Sequence, residues 1–190
     1  MTQVTALIDA NNFYASCEQS LDPALIGRPV VVLSNNDGCI VARSAEARAL
    51  GIAMGTPYFK AKRHLEQNNV VIRSSNYALY ADMSQRLMSL LEGQVEDLEI
   101  YSIDEAFARL SRPSDGNLRP WAQQLRTLAR RNLGLPIAIG LGASKGQAKL
   151  ANRLAKVVPA HAGLFDLDLC RDPDRWLETI SIEDVWGIGR

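Results

Sequence analysis

The chain has 190 residues, 21 Lys and Arg balanced by 21 Asp and Glu, and 47% apolar residues. These figures exclude a disordered, collagen-like or coiled-coil chain and allow one buried core of ordinary size. No apolar run approaches the roughly 18 residues of a membrane span, the start has no signal-peptide pattern, and three widely spaced cysteines (Cys17, Cys39 and Cys170) match neither a disulfide framework nor a zinc spacing, which predicts a reducing cytoplasmic setting.

Residues 4–9 alternate as a strand, with Val4, Ala6 and Ile8 on one face and Thr5, Leu7 and Asp9 on the other. Asn11 is expected to cap a short helix carrying Phe13, Tyr14 and Cys17. Residues 30–33 are a buried strand, 35–38 a turn, and 39–42 a strand pairing back. Helices follow at 44–50, with Gly51 as its stop, and from a Thr56 cap with Pro57 in the first turn to about residue 67. A longer helix starts at Ser75 or Asn76 and ends at Gly93, with Tyr77 and Tyr80 read as core.

Two strands, 98–103 and 106–110, are expected to join tightly around Asp104-Glu105. An amphipathic helix at 120–133, a strand at 135–141, a helix at 144–157 and a strand at 163–167 complete the pattern. This order fits an α+β fold, a ferredoxin-like mixed or antiparallel sheet with helices on one face and a small insertion between about residues 20 and 75.

The neutral total hides a segregation of sign. Residues 92–105 hold six acids and no base, whereas no acid lies between Asp115 and Asp166, a stretch with eight bases. Such blocks are either opposite faces of one solvated surface or a metal-binding pole beside a phosphate-binding pole. Asp9 ends a strand, and Asp104 and Glu105 are adjacent at a hairpin with apolar flanks. Two carboxylates about 4 Å apart repel by roughly 4 kcal/mol at an effective dielectric of 20, so three together shift their pKa values or take a cation. All-oxygen donors select Mg²⁺ or Mn²⁺, and ordinary surface acids are the alternative.

Lys145, Lys149 and Arg153 form one stripe on the 144–157 helix, with Lys156 beyond it. The stripe is either a solvated face or a phosphate site. Gly140, Gly142 and Gly146 before and within this helix mimic a dinucleotide-binding turn, but the spacing is one residue too long, and no Gly-Lys-Ser/Thr is present for a P-loop.

The motif Ile8-Asp-Ala-Asn-Asn-Phe-Tyr-Ala-Ser-Cys-Glu18 resembles the opening acidic motif of Y-family DNA polymerases, and Ser102-Ile-Asp-Glu-Ala-Phe107 resembles their second. Residues 30–43, Ala45-Glu-Ala-Arg48, Ser74-Ser-Asn-Tyr77 and Leu79-Tyr-Ala-Asp-Met-Ser84 resemble the UmuC-type branch of these translesion enzymes, and the likeness runs from Val4 to Arg190. The resemblance implies a palm at residues 1–20 and 76–168, fingers at 21–75 and the start of a helical thumb at 169–190. It implies error-prone, template-directed addition of dNTPs in the SOS response to DNA damage. Asp9, Asp104 and Glu105 would hold two Mg²⁺ ions, Mn²⁺ being an alternative, with the Ala10 carbonyl as a backbone ligand. Tyr14 would be a steric gate against ribonucleotides, Phe13 would pack beneath the sugar, and Arg48 and Lys156 would contact the triphosphate.

Two departures accompany the likeness. Ala42 and Ala45 stand where relatives outside the UmuC-type branch carry Thr and Tyr triphosphate ligands. Val185-Trp-Gly-Ile-Gly-Arg190 resembles the start of a helix-hairpin-helix and stops at its turn, so a fragment or truncated product is expected. The implied partners are primer-template DNA and dNTP, with UmuD′, a RecA filament and a sliding clamp for the whole enzyme, the clamp motif being absent here, and no membrane. Two other readings are a binding or regulatory module on those partners that does not polymerise, and a nucleotidyl cyclase-like enzyme, which Tyr14 and the UmuC-type blocks disfavour.

Overall fold

A computed structural model describes residues 2–188. In chain order the helices and strands are β1 (Gln3–Ala10), α1 (Phe13–Leu21), β2 (Val30–Leu33), β3 (Ile40–Arg43), α2 (Ala45–Ala49), α3 (Tyr58–Gln67), β4 (Val71–Ser74), α4 (Tyr77–Glu92), β5 (Asp97–Ile100), β6 (Glu105–Ser111), α5 (Arg119–Leu133), β7 (Ile137–Gly142), α6 (Lys145–Val157), β8 (Leu164–Asp166) and α7 (Pro173–Leu177). The chain forms two compact units. The first is built from the described residues of Met1–Ala10, Arg86–Arg130 and Pro136–Arg190, the second from Asn11–Gln85 and Arg131–Leu135.

The first unit contains a mixed five-stranded sheet in the order β5-β6-β1-β7-β8. β1 is its middle strand, antiparallel to both β6 and β7, while β7 and β8 run parallel. Both faces of β1 are covered: Val4, Ala6 and Ile8 are buried, and so are Leu7 and Asp9. Leu7 lies opposite Phe107 of β6, and the pair packs on Ala148 of α6. Ala151, Leu154 and Ala155 of α6 form a second apolar cluster with Phe165 and Leu167, backed by Trp176.

The glycines ahead of α6 are packing residues. A Cβ on Gly140 would lie 2.1 Å from the Asn152 amide nitrogen and 2.3 Å from the Ala148 carbonyl oxygen, so α6 rests directly on β7. Asn152, buried beneath this contact, donates from its side-chain amide to the Leu7 and Ala138 carbonyls at 3.3 and 3.0 Å. That use of the Gly-x-Gly sequence accounts for a pattern that does not match a dinucleotide site.

The second unit has a three-stranded sheet, β3-β2-β4. β2 pairs antiparallel with β3 and parallel with β4. Val31, Leu33, Ile40, Ala47, Ile52 and Leu65 make its core. β4 is not among the sequence expectations, because a four-residue strand following a helix with only two apolar residues offers little periodicity.

Other local expectations also need correction. Asn12, not Asn11, stands before α1; its backbone is left-handed (φ 52°) and its side chain makes no cap. Pro57 sits at the cap position of α3 rather than inside it, and Thr56 Oγ1 donates to the Ala53 carbonyl instead. β5 ends at Ile100, three residues earlier than expected, because residues 101–104 form the turn. Tyr80 is fully buried as expected, whereas Tyr77 is 48% exposed. Of the expected helix-hairpin-helix start, Gly189 and Arg190 lie outside the described residues.

Candidate active site

The acidic cluster follows from the period of the sheet. Side chains two residues apart on a strand share a face, and residues opposite each other on antiparallel strands share it too. Leu7 faces Phe107, and the next rung on that side pairs Asp9 with Glu105. The first of these rungs is apolar and touches α6; the second is ionic and meets the same helix. Asp9, at the end of the middle strand, is 5% exposed.

Asp104 reaches the same place through a turn. Ser102 Oγ accepts from the Glu105 amide at 3.1 Å and donates to Asp104 Oδ1 at 2.8 Å. The Tyr101 and Ser102 amides both donate to the Glu105 carbonyl at 3.0 Å, and the Ala10 amide donates to the Asp104 carbonyl at 2.9 Å. Strand alternation would send Asp104 and Glu105 to opposite faces; leaving Asp104 outside β6 removes that constraint.

Helix α6 supplies the counter-charges. Ser144 caps it by accepting from the Gln147 amide. Lys149 and Lys156 stand seven residues, two turns, apart and so share a face. Lys156 Nζ lies 2.5 Å from Asp9 Oδ2, and Lys149 Nζ lies 2.9 Å from Glu105 Oε2. Lys145 pairs with Glu99 at 2.5 Å, and Arg153 pairs with Asp184. The acidic and basic blocks of the sequence therefore meet along one helix instead of occupying opposite faces.

These acids differ in their readiness to ionise. Burial pushes Asp9 up to about 7, with Glu105 adding to the rise and Lys156 opposing it. Burial also raises Asp104, assisted by the charge of Glu105 and opposed by Ser102. Burial alone would raise Glu105 as well, but the bond from Lys149, the neighbouring Asp9 carboxyl and the charges of Lys149 and Lys156 hold it below its ordinary value.

Among the described residues, no three acidic, His or Cys side chains are arranged to hold a metal ion. The donor chemistry nevertheless fits a hard divalent cation. Every candidate donor is oxygen, and Asp9 Oδ1 is buried without a hydrogen-bond partner. Lys156 and Lys149 are the cations that meet Asp9 and Glu105 in this structure.

The remaining sequence-predicted residues belong to the second unit. Phe13 is buried at the start of α1, and Tyr14 follows it, half-buried. The Tyr14 ring stacks on Tyr80 at 4.1 Å and meets Tyr77 edge-on at 6.2 Å. Tyr80 donates to Glu18 at 2.9 Å, and burial followed by the Glu18 contact raises its phenol above the ordinary value. Arg48 is exposed in the last turn of α2, with no ion-pair partner among the described residues.

A sequence profile of the impB/mucB/samB family matches residues 8–153, which includes all three acids and both lysines. The chain belongs to the impB/mucB/samB family. It is 49% identical over 187 residues to Protein UmuC of Salmonella typhimurium, covering 97% of this chain and 44% of that protein. It is 35% identical over 186 residues to DNA polymerase IV of Corynebacterium diphtheriae, covering 96% of this chain and 40% of that one. A solved structure, an insertion ternary complex of Dbh DNA polymerase, superposes with a TM-score of 0.82 at 25% identity over 98% of this chain and 54% of that chain. The chain thus spans less than half the length of the curated relatives it matches. Its mixed α+β fold is that of the N-terminal palm and fingers portion of Y-family polymerases.

Sequence reasoning about this family member missed two contributors. Ser102 lies inside the motif that carries Asp104 and Glu105, yet only the turn geometry gives it a task. Lys149 stood out as part of a basic stripe, but nothing in its spacing pointed to Glu105, 44 residues away in sequence.

Proposed function

We propose that this chain carries the nucleotidyl-transfer site of a UmuC-type translesion DNA polymerase, adding dNTPs to a primer end opposite a template strand. The observation that carries the reading is the ionic rung: Asp9 and Glu105 side by side, Asp104 beside them, and one buried Asp9 oxygen without a partner. Asp9, Asp104 and Glu105 hold two Mg²⁺ ions in this reading, with the Ala10 carbonyl as a backbone ligand and Mn²⁺ as a substitute. Bound there, such ions activate the primer 3′-hydroxyl and take up charge on the leaving pyrophosphate. Lys156 exchanges Asp9 for the triphosphate, and Arg48 contacts the same group. Phe13 packs beneath the sugar, and Tyr14 excludes a ribose 2′-hydroxyl.

In the same reading residues 1–20 and 76–168 are palm, 21–75 fingers, and 169–190 the start of a thumb. Primer-template DNA is the substrate, and UmuD′, a RecA filament and a sliding clamp are partners of the whole protein in the bacterial cytoplasm. Primer extension with Mg²⁺, run on this 190-residue chain and on a version continued past Arg190, tests the reading. Extension is expected to vanish in Asp104→Ala, and ribonucleotide incorporation to rise in Tyr14→Ala. Normal extension by Asp104→Ala would overturn the site. Retained DNA binding with no extension by either wild-type form would favour a binding module instead.

A further inference from the structure

Lys149 lies among three aromatic rings. Its ammonium is 4.4 Å from the Tyr101 ring centroid, 5.4 Å from that of Trp186 and 5.9 Å from that of Phe107. The rings hold one another. Tyr101 meets Phe107 and Trp186 edge-on at 5.5 and 5.9 Å, and Trp186 Nε1 donates to the Tyr101 hydroxyl at 3.2 Å. The fourth neighbour of the ammonium is Glu105 Oε2, at 2.9 Å.

This arrangement does more than solvate a lysine. The ring faces present negative potential to the ammonium without offering a hydrogen-bond acceptor. The carboxylate is left as the directional partner, so the amine is drawn towards one oxygen. The Lys149 side chain is 16% exposed, so water competes poorly. Tyr101 precedes Ser102, which fixes the turn bearing Asp104 and Glu105. Trp186 comes from the far end of the described chain and is held there a second time by the Arg153–Asp184 ion pair.

We propose that Trp186, with Tyr101 and Phe107, is a positioning residue that fixes Lys149 and, through it, the Glu105 carboxylate. The proposal rests on the proposed function only in taking Glu105 as part of the reacting site. The cage itself is testable without catalysis, on the full chain.

A pulse of an amine-acylating reagent, read by mass spectrometry, is expected to modify Lys149 the most slowly of the five lysines in the chain. Trp186→Leu is expected to raise that rate about threefold to fivefold, as loss of one cation–π partner implies. Trp186→Phe restores slow labelling, because it keeps an aromatic face where Leu keeps only bulk. Carbodiimide-driven amidation of Glu105 is expected to speed up in Trp186→Leu and not in Trp186→Phe. In NMR spectra the Lys149 ε-methylene protons should lie upfield in wild type and return to ordinary lysine values in Trp186→Leu.

Equal Lys149 labelling in wild type and Trp186→Leu, with no upfield shift in wild type, would overturn the cage. Faster Lys149 labelling with unchanged Glu105 amidation would overturn the positioning role. Mn²⁺ separates this proposal from the proposed function: failure of Mn²⁺ to broaden the Lys149 signal would sink the metal reading, while the labelling results would stand.

Discussion

Two charge clusters sit at different places in the same unit, and they are built in opposite ways. Arg112, 8% exposed, grips Asp166 with two bonds of 2.8 Å, reaches Asp168 at 3.1 Å, and donates to the Gly116 carbonyl at 3.0 Å. Its planar guanidinium supplies several fixed donors and satisfies both carboxylates. The other cluster sets three acids against two lysines, which are point charges on flexible stems. It leaves Asp9 Oδ1 unpaired and holds Asp9 near 7. The first cluster ties the end of β6 to the segment around β8. The second keeps a buried carboxylate oxygen without a partner. The difference separates a fully bonded cluster from one whose lysines, in the proposed function, give way to substrate.

Breaking the Arg112 cluster should have the largest effect on stability. Arg112→Leu strands Asp166 and Asp168, which are 17% and 27% exposed in their side chains. A loss of about 2–3 kcal/mol is expected, below the range for fully buried pairs because both acids keep some water. Urea titration with an unchanged m-value measures it, and a loss below about 0.5 kcal/mol would erase the contrast.

Asp9→Asn should act the other way. Removing a buried, imperfectly paired charge is expected to leave stability unchanged or improve it by about 1 kcal/mol, while the nucleotide addition proposed for the site disappears. A marked fall in thermal midpoint would show instead that the Asp9–Lys156 pair is structural.

The smallest effect sharpens the comparison with a group in neither cluster. His161 packs on Phe165 and Trp176 at 4.4 and 4.8 Å, and its Nε2 is buried without a partner. Burial, then the charge of Arg119, lowers its pKa below 6.5. Between that lowered value and 6.5 the unfolded chain binds more protons, so stability should fall as pH drops below about 6.5. His161→Phe should flatten this part of the pH–stability curve; an unaltered curve would assign it to other groups.

Much of the fold was legible because its periodicities are strong. β1 alternates in sequence although both its faces are buried, α4 and α5 carry regular apolar stripes, and Ser44 and Ser144, expected as the first residues of their helices, stand one place outside as caps. Short or irregular pieces were not. β4 gains its strand from a parallel partner, β2, and the turn after Ile100 is held by backbone bonds to Glu105 together with the Ser102 hydroxyl. The three acids and the two lysines that meet them were legible as chemistry. Their pairing was not, because sequence separation says nothing about which residues a helix brings over a sheet.

The sequence by itself determined the residue types at the site, the strand that ends in Asp9, and the family likeness carried by the two acidic motifs. The tertiary structure alone decided that Asp9 and Glu105 form one rung, that Lys156 and Lys149 answer them separately, and that Trp186 closes over Lys149. Local pattern specifies a strand or helix through contacts within a few residues. Register is set by the pairing of β1 with a strand far away in sequence, and docking by the close approach that Gly140 permits between β7 and α6. The segregated charges of the sequence are thereby brought together, in one cluster that is fully bonded and one that leaves a buried carboxylate oxygen without a partner.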